Sequence, residues 1–494
     1  MGSGTADVGT VRNVLLVTLD QLRGDTMGCA GHPLVRTPTL DALAADGVRF
    51  DRHYSQASPC GPGRACLYTG TYQMNNRVVG NGSPLDRRFD NVALAARRAG
   101  YEPAVFGYTD QAVDPRETTG SDDPRLLTYE GILDGFDPVL DLSCGNLPWV
   151  DWLAGLGVDV TGGDLDLLAT EAERPVEQSL STFTTDRAVD WLRGQDRPWF
   201  AHVSYLRPHP PNSAAGEWGR AYDPASMADP IPPADDRHEF HDFALQLPVV
   251  AAPTDLDEIR RLRAQYLGMV SEVDAALGRL LDEVRALGAW DDTLVIVTAD
   301  HGNMLGDHGL IEKLGYWEES YRVPGIVRDP RFPERHGTVV DRFTENVDLM
   351  PTICEAIGVP VPAQCDGYPL TPLLAGEEPP WWRTTAHWEF DWRSVIVALV
   401  GHEWPWDRTL ERQNLAVVRT EDAAYVHFGD GSSLCFDLAA DPTWRTPVVD
   451  PAVVLALAQD LLTWRATHAD RTLADLVLED GGVGRWPEMP AGWA

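Results

Sequence analysis

The sequence predicts an α/β protein: a large mixed, mainly parallel sheet sandwiched by helices, then a smaller C-terminal α+β subdomain. Three observations carry this. Four short runs are apolar almost throughout, as strands covered on both faces must be. Segments with helical spacing of their apolar residues separate them. Each of the four runs also breaks off in polar residues, and in such sheets ligands bind beyond the carboxyl ends of the strands.

Taken in order, Val14–Leu19 runs into Asp20-Gln21. Thr39–Asp46 and Asn91–Ala99 have helical spacing, and Pro103–Phe106 then leads through Gly107 to Tyr108. After a helix over Thr185–Gly194, Trp199–Leu206 runs into Arg207-Pro208-His209-Pro210. Proline-rich stretches at Pro208–Pro211 and Pro224–Pro233 read as loops over the sheet edge. A long amphipathic stretch, Leu256–Gly288, precedes the strand Thr293–Thr298, which passes through Ala299 into Asp300-His301-Gly302. All these polar ends converge on one edge of the predicted sheet.

Around Pro372–Trp382 the chain becomes rich in proline and tryptophan. Beyond it Val395–Val400, Ala416–Val418, Ala424–Phe428 and Leu434–Leu438 read as short strands, and Pro451–His468 as a helix. The expected division is 1–375 for the large domain and 376–494 for the subdomain, whose tail Asp470–Ala494 suits packing on a neighbouring subunit. There are no internal repeats or low-complexity tracts.

The chain has 494 residues and a formal charge of −35, which disfavours nucleic acid and anionic membranes as partners. An anionic substrate therefore needs a local cationic pocket. No apolar run reaches membrane-spanning length, and the first residues lack the basic and apolar regions of a secretion signal, so the expected location is the cytoplasm. Seven cysteines without a CxxC pair signal neither a zinc site nor a disulfide framework, and most read as small buried hydrophobes.

Two features stand out chemically. Lys313 is the only lysine in the chain; every other long basic side chain is arginine. A lysine is a compact, titratable point charge, whereas arginine is a permanently charged fork. The lone lysine lies shortly after Asp300-His301-Gly302. The other feature is Cys60-Gly61-Pro62-Gly63-Arg64. The phosphate loop of a tyrosine phosphatase needs five residues between cysteine and arginine; here three intervene, so that reading fails.

Cys-x-Pro-x-Arg resembles the signature of the sulfatase family, in which the cysteine is oxidised to formylglycine. Ala65–Gly70 resembles the helix start that follows it. The resemblance extends over nearly the whole chain through Asp20-Gln21 and Thr298–Gly302, and within the alkaline phosphatase superfamily it is nearest to the phosphonate monoester hydrolase branch. That branch pairs Asp with Gln where typical arylsulfatases use two Asp, and puts His after the later Asp. Asn81–Asp86, Gly107–Asp110, Arg207–Pro211, His387–Trp392 and Trp464–Arg471 also resemble it.

The resemblance implies an alkaline phosphatase-like fold and a metal-dependent hydrolase of phosphonate monoesters and phosphate diesters, with sulfate esters as side substrates. It implies one divalent ion held by Asp20, Gln21, Asp300, His301 and the converted Cys60. Two carboxylates, an amide oxygen and an imidazole suit Mn²⁺ best, with Ca²⁺ as the other choice. The metal lowers the pKa of one hydroxyl of the hydrated aldehyde, making it a nucleophile; the second hydroxyl then lets the intermediate collapse without a further attack at phosphorus or sulfur.

The same resemblance implies that Arg64 holds the hydrate and a ligand carboxylate. Lys313 contacts the substrate oxygens, and His209 serves as acid or base. Asn81 and Tyr108 either donate to the bound anion or are structural residues at a turn and a strand end. His308 reads as a supporting residue rather than a catalytic one. Asp110 stands where the branch more usually has a small hydroxyl residue, and a carboxylate there is expected to repel an anion. The implied partners are a small anionic ester, a formylglycine-generating enzyme and other copies of the chain in a homotetramer. Two alternatives remain open: a sulfatase with the same nucleophile, and a non-catalytic metal-binding protein in which Cys60 stays a thiol.

Overall fold

The computed structural model describes residues 9–393, 395–396 and 408–469. Its main sheet has eight strands: β1 (Asn13–Leu19), β2 (Val48–Tyr54), β4 (Pro103–Gly107), β5 (Asp137–Asp141), β6 (Phe200–Tyr205), β7 (Thr293–Thr298), β8 (Gly325–Arg328) and β9 (Thr338–Glu345). The short β3 (Ala57–Ser58) belongs to a second sheet. In the main sheet the strand order is β5-β4-β6-β1-β7-β8-β2-β9. The four strands legible in the sequence, β4, β6, β1 and β7, are its contiguous centre and all run parallel. Only β8 runs against its neighbours.

Alternation along β1 sets the two faces. Leu15, Val17 and Leu19 join one core with Phe106, Val203, Val295 and the helix Leu256–Ala286. Val14 and Leu16 join the other with Val105, Ile296 and Leu67 of the helix Cys60–Thr69. Each central strand is thus sealed on both sides, which is why it reads as continuously apolar. The predicted helices are present as Pro38–Ala45, Val92–Arg98, Leu180–Arg193 and Leu256–Ala286. The third starts a turn earlier than its sequence suggests, because the Ser179 hydroxyl accepts from the Thr182 N–H and caps it.

The second sheet has the order β13-β12-β11-β10-β3, built from β10 (Ala386–Asp391), β11 (Asn414–Arg419), β12 (Ala423–Phe428) and β13 (Ser433–Asp437). β3 pairs in parallel with β10, so a strand preceding Cys60 closes this sheet. Aromatic residues fill one face: Trp317, Trp388, Trp392 and Trp444 share a core with Tyr316 and Phe436. The helix Pro451–His468 covers the other through Leu457, Leu461 and Trp464.

Of the expected strand Val395–Val400, the two described residues, Val395 and Ile396, are helical, the Ile396 N–H donating to Trp392 O. The remainder of Val395–Val400 and the tail from Asp470 lie outside the described residues. Among the described residues no helix is long and apolar enough to cross a membrane.

Candidate active site

The parallel arrangement brings the polar strand ends together. Asp20 follows β1, Tyr108 follows β4, Arg207 and His209 follow β6, and Asp300 and His301 follow β7. Against this edge lies the helix Cys60–Thr69, every residue of which is buried. Cys60 is its first residue, and Pro62 sits in the first turn, where its missing N–H costs no hydrogen bond. Gly63 permits the close approach: a Cβ there would stand 2.5 Å from Asp300 O. Gly107, with φ +116°, does the same for β4, since a Cβ would meet Ser204 O at 2.3 Å.

Arg64 is the hub of the site and is wholly buried. Its Nη2 donates to Asp20 Oδ2 at 2.9 Å and its Nε to Asp300 Oδ2 at 3.0 Å. Its Nη1 donates to Ser204 Oγ at 2.8 Å and Tyr108 O at 3.1 Å. A fork can hold two carboxylates at fixed separation; an ammonium cannot. Asp20 also accepts from the Tyr108 hydroxyl at 2.7 Å. Burial opposes ionisation of Asp20, yet Arg64, Lys313 and the neighbouring histidines hold its carboxyl well below the usual range.

His301 Nδ1 lies 3.0 Å from Gly302 O, which makes it the protonated nitrogen and leaves the Nε2 lone pair facing Cys60 Sγ at 3.2 Å. Burial keeps this imidazole neutral. One donor atom each from Asp20, Cys60, Asp300 and His301 all lie within 4.8 Å of one another. Buried carboxylates and an imidazole with its lone pair turned inward form a donor set that fits a divalent cation. Burial and the nearby Asp20 push the Cys60 thiol well up, against the pull of the helix N-terminus. Cys60 as it stands is a protonated thiol, not a thiolate nucleophile.

Opposite this cluster stands Lys313. Its Nζ donates to Gln21 Oε1 at 2.9 Å and to His209 Nε2 at 2.8 Å. Burial works against its charge, but the acidic groups around it, Glu312, Asp20 and Asp300, hold the ammonium above its ordinary pKa. His209 Nδ1 lies 2.7 Å from Pro210 O, so Nε2 carries the lone pair that Lys313 meets. Burial and the adjacent ammonium hold His209 below the ordinary histidine range.

Cys60, Arg64, His209, Asp300, His301 and Lys313 thus meet Asp20 and Gln21 at this sheet edge, and Tyr108 and Asn81 take the structural one of the two roles open to them. The Tyr108 hydroxyl is spent on Asp20, and Asn81 Oδ1 accepts the Gly61 N–H at 2.9 Å, fixing the backbone beside Cys60. His308 stacks on Trp317 with ring centroids 4.8 Å apart, and its neighbour Asp307 pairs with Arg23 and Arg263. Asp110 lies 3.4 Å from Arg64 Nε. Burial holds its carboxyl far above the usual range, reinforced by Asp20 and Asp300, which have already claimed Arg64. This favours the neutral form of the acid and so weakens the repulsion expected of a carboxylate.

Sequence reasoning missed three participants. Glu312 accepts from Gln21 Nε2 at 3.3 Å, Gln111 Nε2 donates to Gly61 O at 3.0 Å, and Glu171 forms a fully buried pair with Arg207. Only Glu312 carried a signal, by standing next to the lone lysine.

Residues 12–359 match the Sulfatase family model, and residues 306–463 match the model of the C-terminal region of N-sulphoglucosamine sulphohydrolase. The multifunctional alkaline phosphatase superfamily protein PehA of Trinickia caryophylli is 38% identical over 504 aligned positions, covering 94% of this chain and 97% of that protein. The crystal structure of the phosphonate monoester hydrolase of Agrobacterium radiobacter superposes with a TM-score of 0.87 at 41% identity, covering 96% of this chain and all of that one. The phosphonate monoester hydrolase SpPMH of Silicibacter pomeroyi superposes with a TM-score of 0.84 at 34% identity, covering 96% and 99%.

Proposed function

The chain belongs to the sulfatase family, and on that premise we propose that it hydrolyses phosphonate monoesters and phosphate diesters at the Cys60 site, with sulfate esters as side substrates. The observation that carries the reading is one arrangement. Residue 60 heads a buried helix within reach of Asp20 and His301, with the Lys313–His209 pair on the other side.

Asp20, Gln21, Asp300, His301 and the converted residue 60 would hold a divalent ion, Mn²⁺ by the mix of oxygen and imidazole donors, supplying Lewis acidity toward the ester and the nucleophilic hydroxyl. Conversion of Cys60 to formylglycine accounts for a cysteine whose own thiol is held protonated. Lys313 supplies fixed positive charge where the ester's non-bridging oxygens develop charge, in a site that excludes water. His209, neutral and with its Nε2 lone pair turned to Lys313, takes or returns the proton at that atom. Arg64 keeps both carboxylates in place and leaves the site net positive toward an anion. Maturation by a formylglycine-generating enzyme and assembly as a homotetramer in the cytoplasm complete the proposal.

The test has two parts. Mass analysis of the tryptic peptide His53–Arg64, from a host that matures sulfatases, should give the aldehyde or its hydrate rather than the thiol. The kcat/KM values on matched aryl esters, a phosphonate monoester and a sulfate, should then favour the phosphonate with Mn²⁺ present. A clear sulfate preference makes the chain a sulfatase with this ligand set. An intact thiol together with no turnover leaves the metal-binding protein.

A further inference from the structure

We infer that Glu312 is a positioning residue for the metal centre: its carboxylate decides which end of the Gln21 amide faces the Asp20–Asp300–His301 cluster. The inference rests on the reading of that cluster as a cation site.

Gln21 is fully buried, and its amide has two chemically opposite ends. Nε2 donates to Glu312 Oε2 at 3.3 Å, while Oε1 accepts from Lys313 Nζ at 2.9 Å. An ionised carboxylate can only accept and an ammonium can only donate, so the two neighbours together permit a single orientation. That orientation matters because a divalent cation takes an amide through its oxygen. Turned over, Gln21 would present an NH₂ group to Lys313 and to the cluster.

The surrounding backbone fixes both partners. The Gln21 N–H donates to Asp300 Oδ1 at 3.1 Å, and its carbonyl accepts from Tyr266 at 2.8 Å. Gln21 and Glu312 both have left-handed backbones, with φ of 69° and 67°. Neither is glycine, and such conformations persist where the surroundings over-determine them. Glu312 O accepts the Met304 N–H at 2.6 Å, and the next carbonyl, Lys313 O, accepts from Ser58 Oγ at 2.7 Å. Glu312 is thereby pinned at the one place where it can serve Gln21 while lying 3.6 Å from Lys313 Nζ. The pairing also explains an amide rather than a second carboxylate after Asp20: a carboxylate here would face Glu312 oxygen to oxygen, losing the Nε2 donor and leaving Lys313 as the one cation for both.

The experiment is a calorimetric Mn²⁺ titration of the full chain after chelator treatment. E312A should weaken Mn²⁺ binding about 10–100-fold, the usual cost of losing a residue that orients a ligand. E312Q, which can still offer an oxygen to Gln21 Nε2, should recover most of that loss. Wild-type affinity in E312A overturns the inference. D20N is the control for the underlying reading: if it binds Mn²⁺ as wild type does, the cation site itself is wrong. Should E312A not fold, thermal melts of the metal-free protein decide. Q21E, which sets two carboxylates together, should lower Tm, and Q21E/E312Q should restore it. Failure of E312Q to rescue Q21E also overturns the inference.

Discussion

Lys313 Nζ donates to His209 Nε2 at 2.8 Å, so the only lysine in the chain and the histidine of a proline-rich loop act as one unit, though 104 positions apart in sequence. The ammonium is fixed by an acceptor on each side, Gln21 and His209. Its geometry is that of a point donor.

Lys313→Arg keeps the charge but not that geometry. The guanidinium is bulkier and holds its N–H groups in one plane, so it cannot put a donor where the compact ammonium meets Gln21 Oε1 and His209 Nε2. The expected loss is about 10²–10³-fold in kcat, as for removal of one donor to developing charge, with an unchanged melting temperature. Steady-state kinetics and a thermal melt check it, and wild-type turnover would return the lone lysine to chance.

The pair also sets a pH dependence. Burial and Lys313 lower the His209 pKa from the ordinary 6.5, so the neutral form persists below that pH and is lost only as pH falls through the lowered value. An NMR titration of the imidazole should place its midpoint below 6.5 in the native protein. In Lys313→Met the midpoint should move upward, because the neighbouring cation is gone. A midpoint indifferent to that substitution would break the link.

Arg207 holds the His209 loop from beneath. It is wholly buried, pairs with Glu171, and donates to His209 O and Pro211 O at 2.8 Å each. Glu171→Gln leaves this cation without its counter-charge, at an expected cost of about 3–5 kcal/mol in folding stability. Arg207→Lys cannot span both carbonyls and Glu171 together. It should lower kcat more than it raises KM, since His209 loses its placement while the anion pocket stays. Urea denaturation and kinetics on one aryl ester test both.

Asp110 should behave as a neutral group. Burial pushes its carboxyl toward the protonated form, so Asp110→Asn should preserve both charge and shape, and kcat/KM near neutral pH should scarcely change. If Asp110 were ionised, the same substitution would remove a repelling charge and raise kcat/KM for an anionic ester. Kinetics on the paired phosphonate and sulfate substrates distinguish the two.

The legible part of the fold is its centre. β1, β4, β6 and β7 are buried on both faces, so their sequences carry no Asp, Glu, Lys or Arg and could be read directly. β2 and β5 escaped notice. β2 intersperses Arg49, Asp51 and Arg52 with its apolar residues, and β5 is an edge strand that buries only Leu140 and exposes Asp137, Pro138, Val139 and Asp141. β8 is only four residues long, and β9 is an edge strand that exposes Val339 and Asp341. The strand expected over Val395–Val400 rested on four β-branched residues in a short window, but its two described residues, Val395 and Ile396, are helical, with Trp392 O accepting the Ile396 N–H.

For the site, the sequence by itself determined which residue types stand at each strand end, because a strand must stop where its apolar run stops. It thereby placed Asp20, Gln21, Arg207, His209, Asp300 and His301 at one edge, and the Cys60–Arg64 motif and Lys313 named their companions. Only the tertiary structure decided what each side chain does there. The Tyr108 hydroxyl turned to Asp20, the Gln21 amide nitrogen to Glu312, and burial pushed the Asp110 carboxyl toward its neutral form beside an arginine already taken. Each outcome depends on a partner far away in the chain, and a carboxyl group's charge depends on burial and on who else shares its cation. Those are properties of three-dimensional neighbours, which no local pattern of residues encodes.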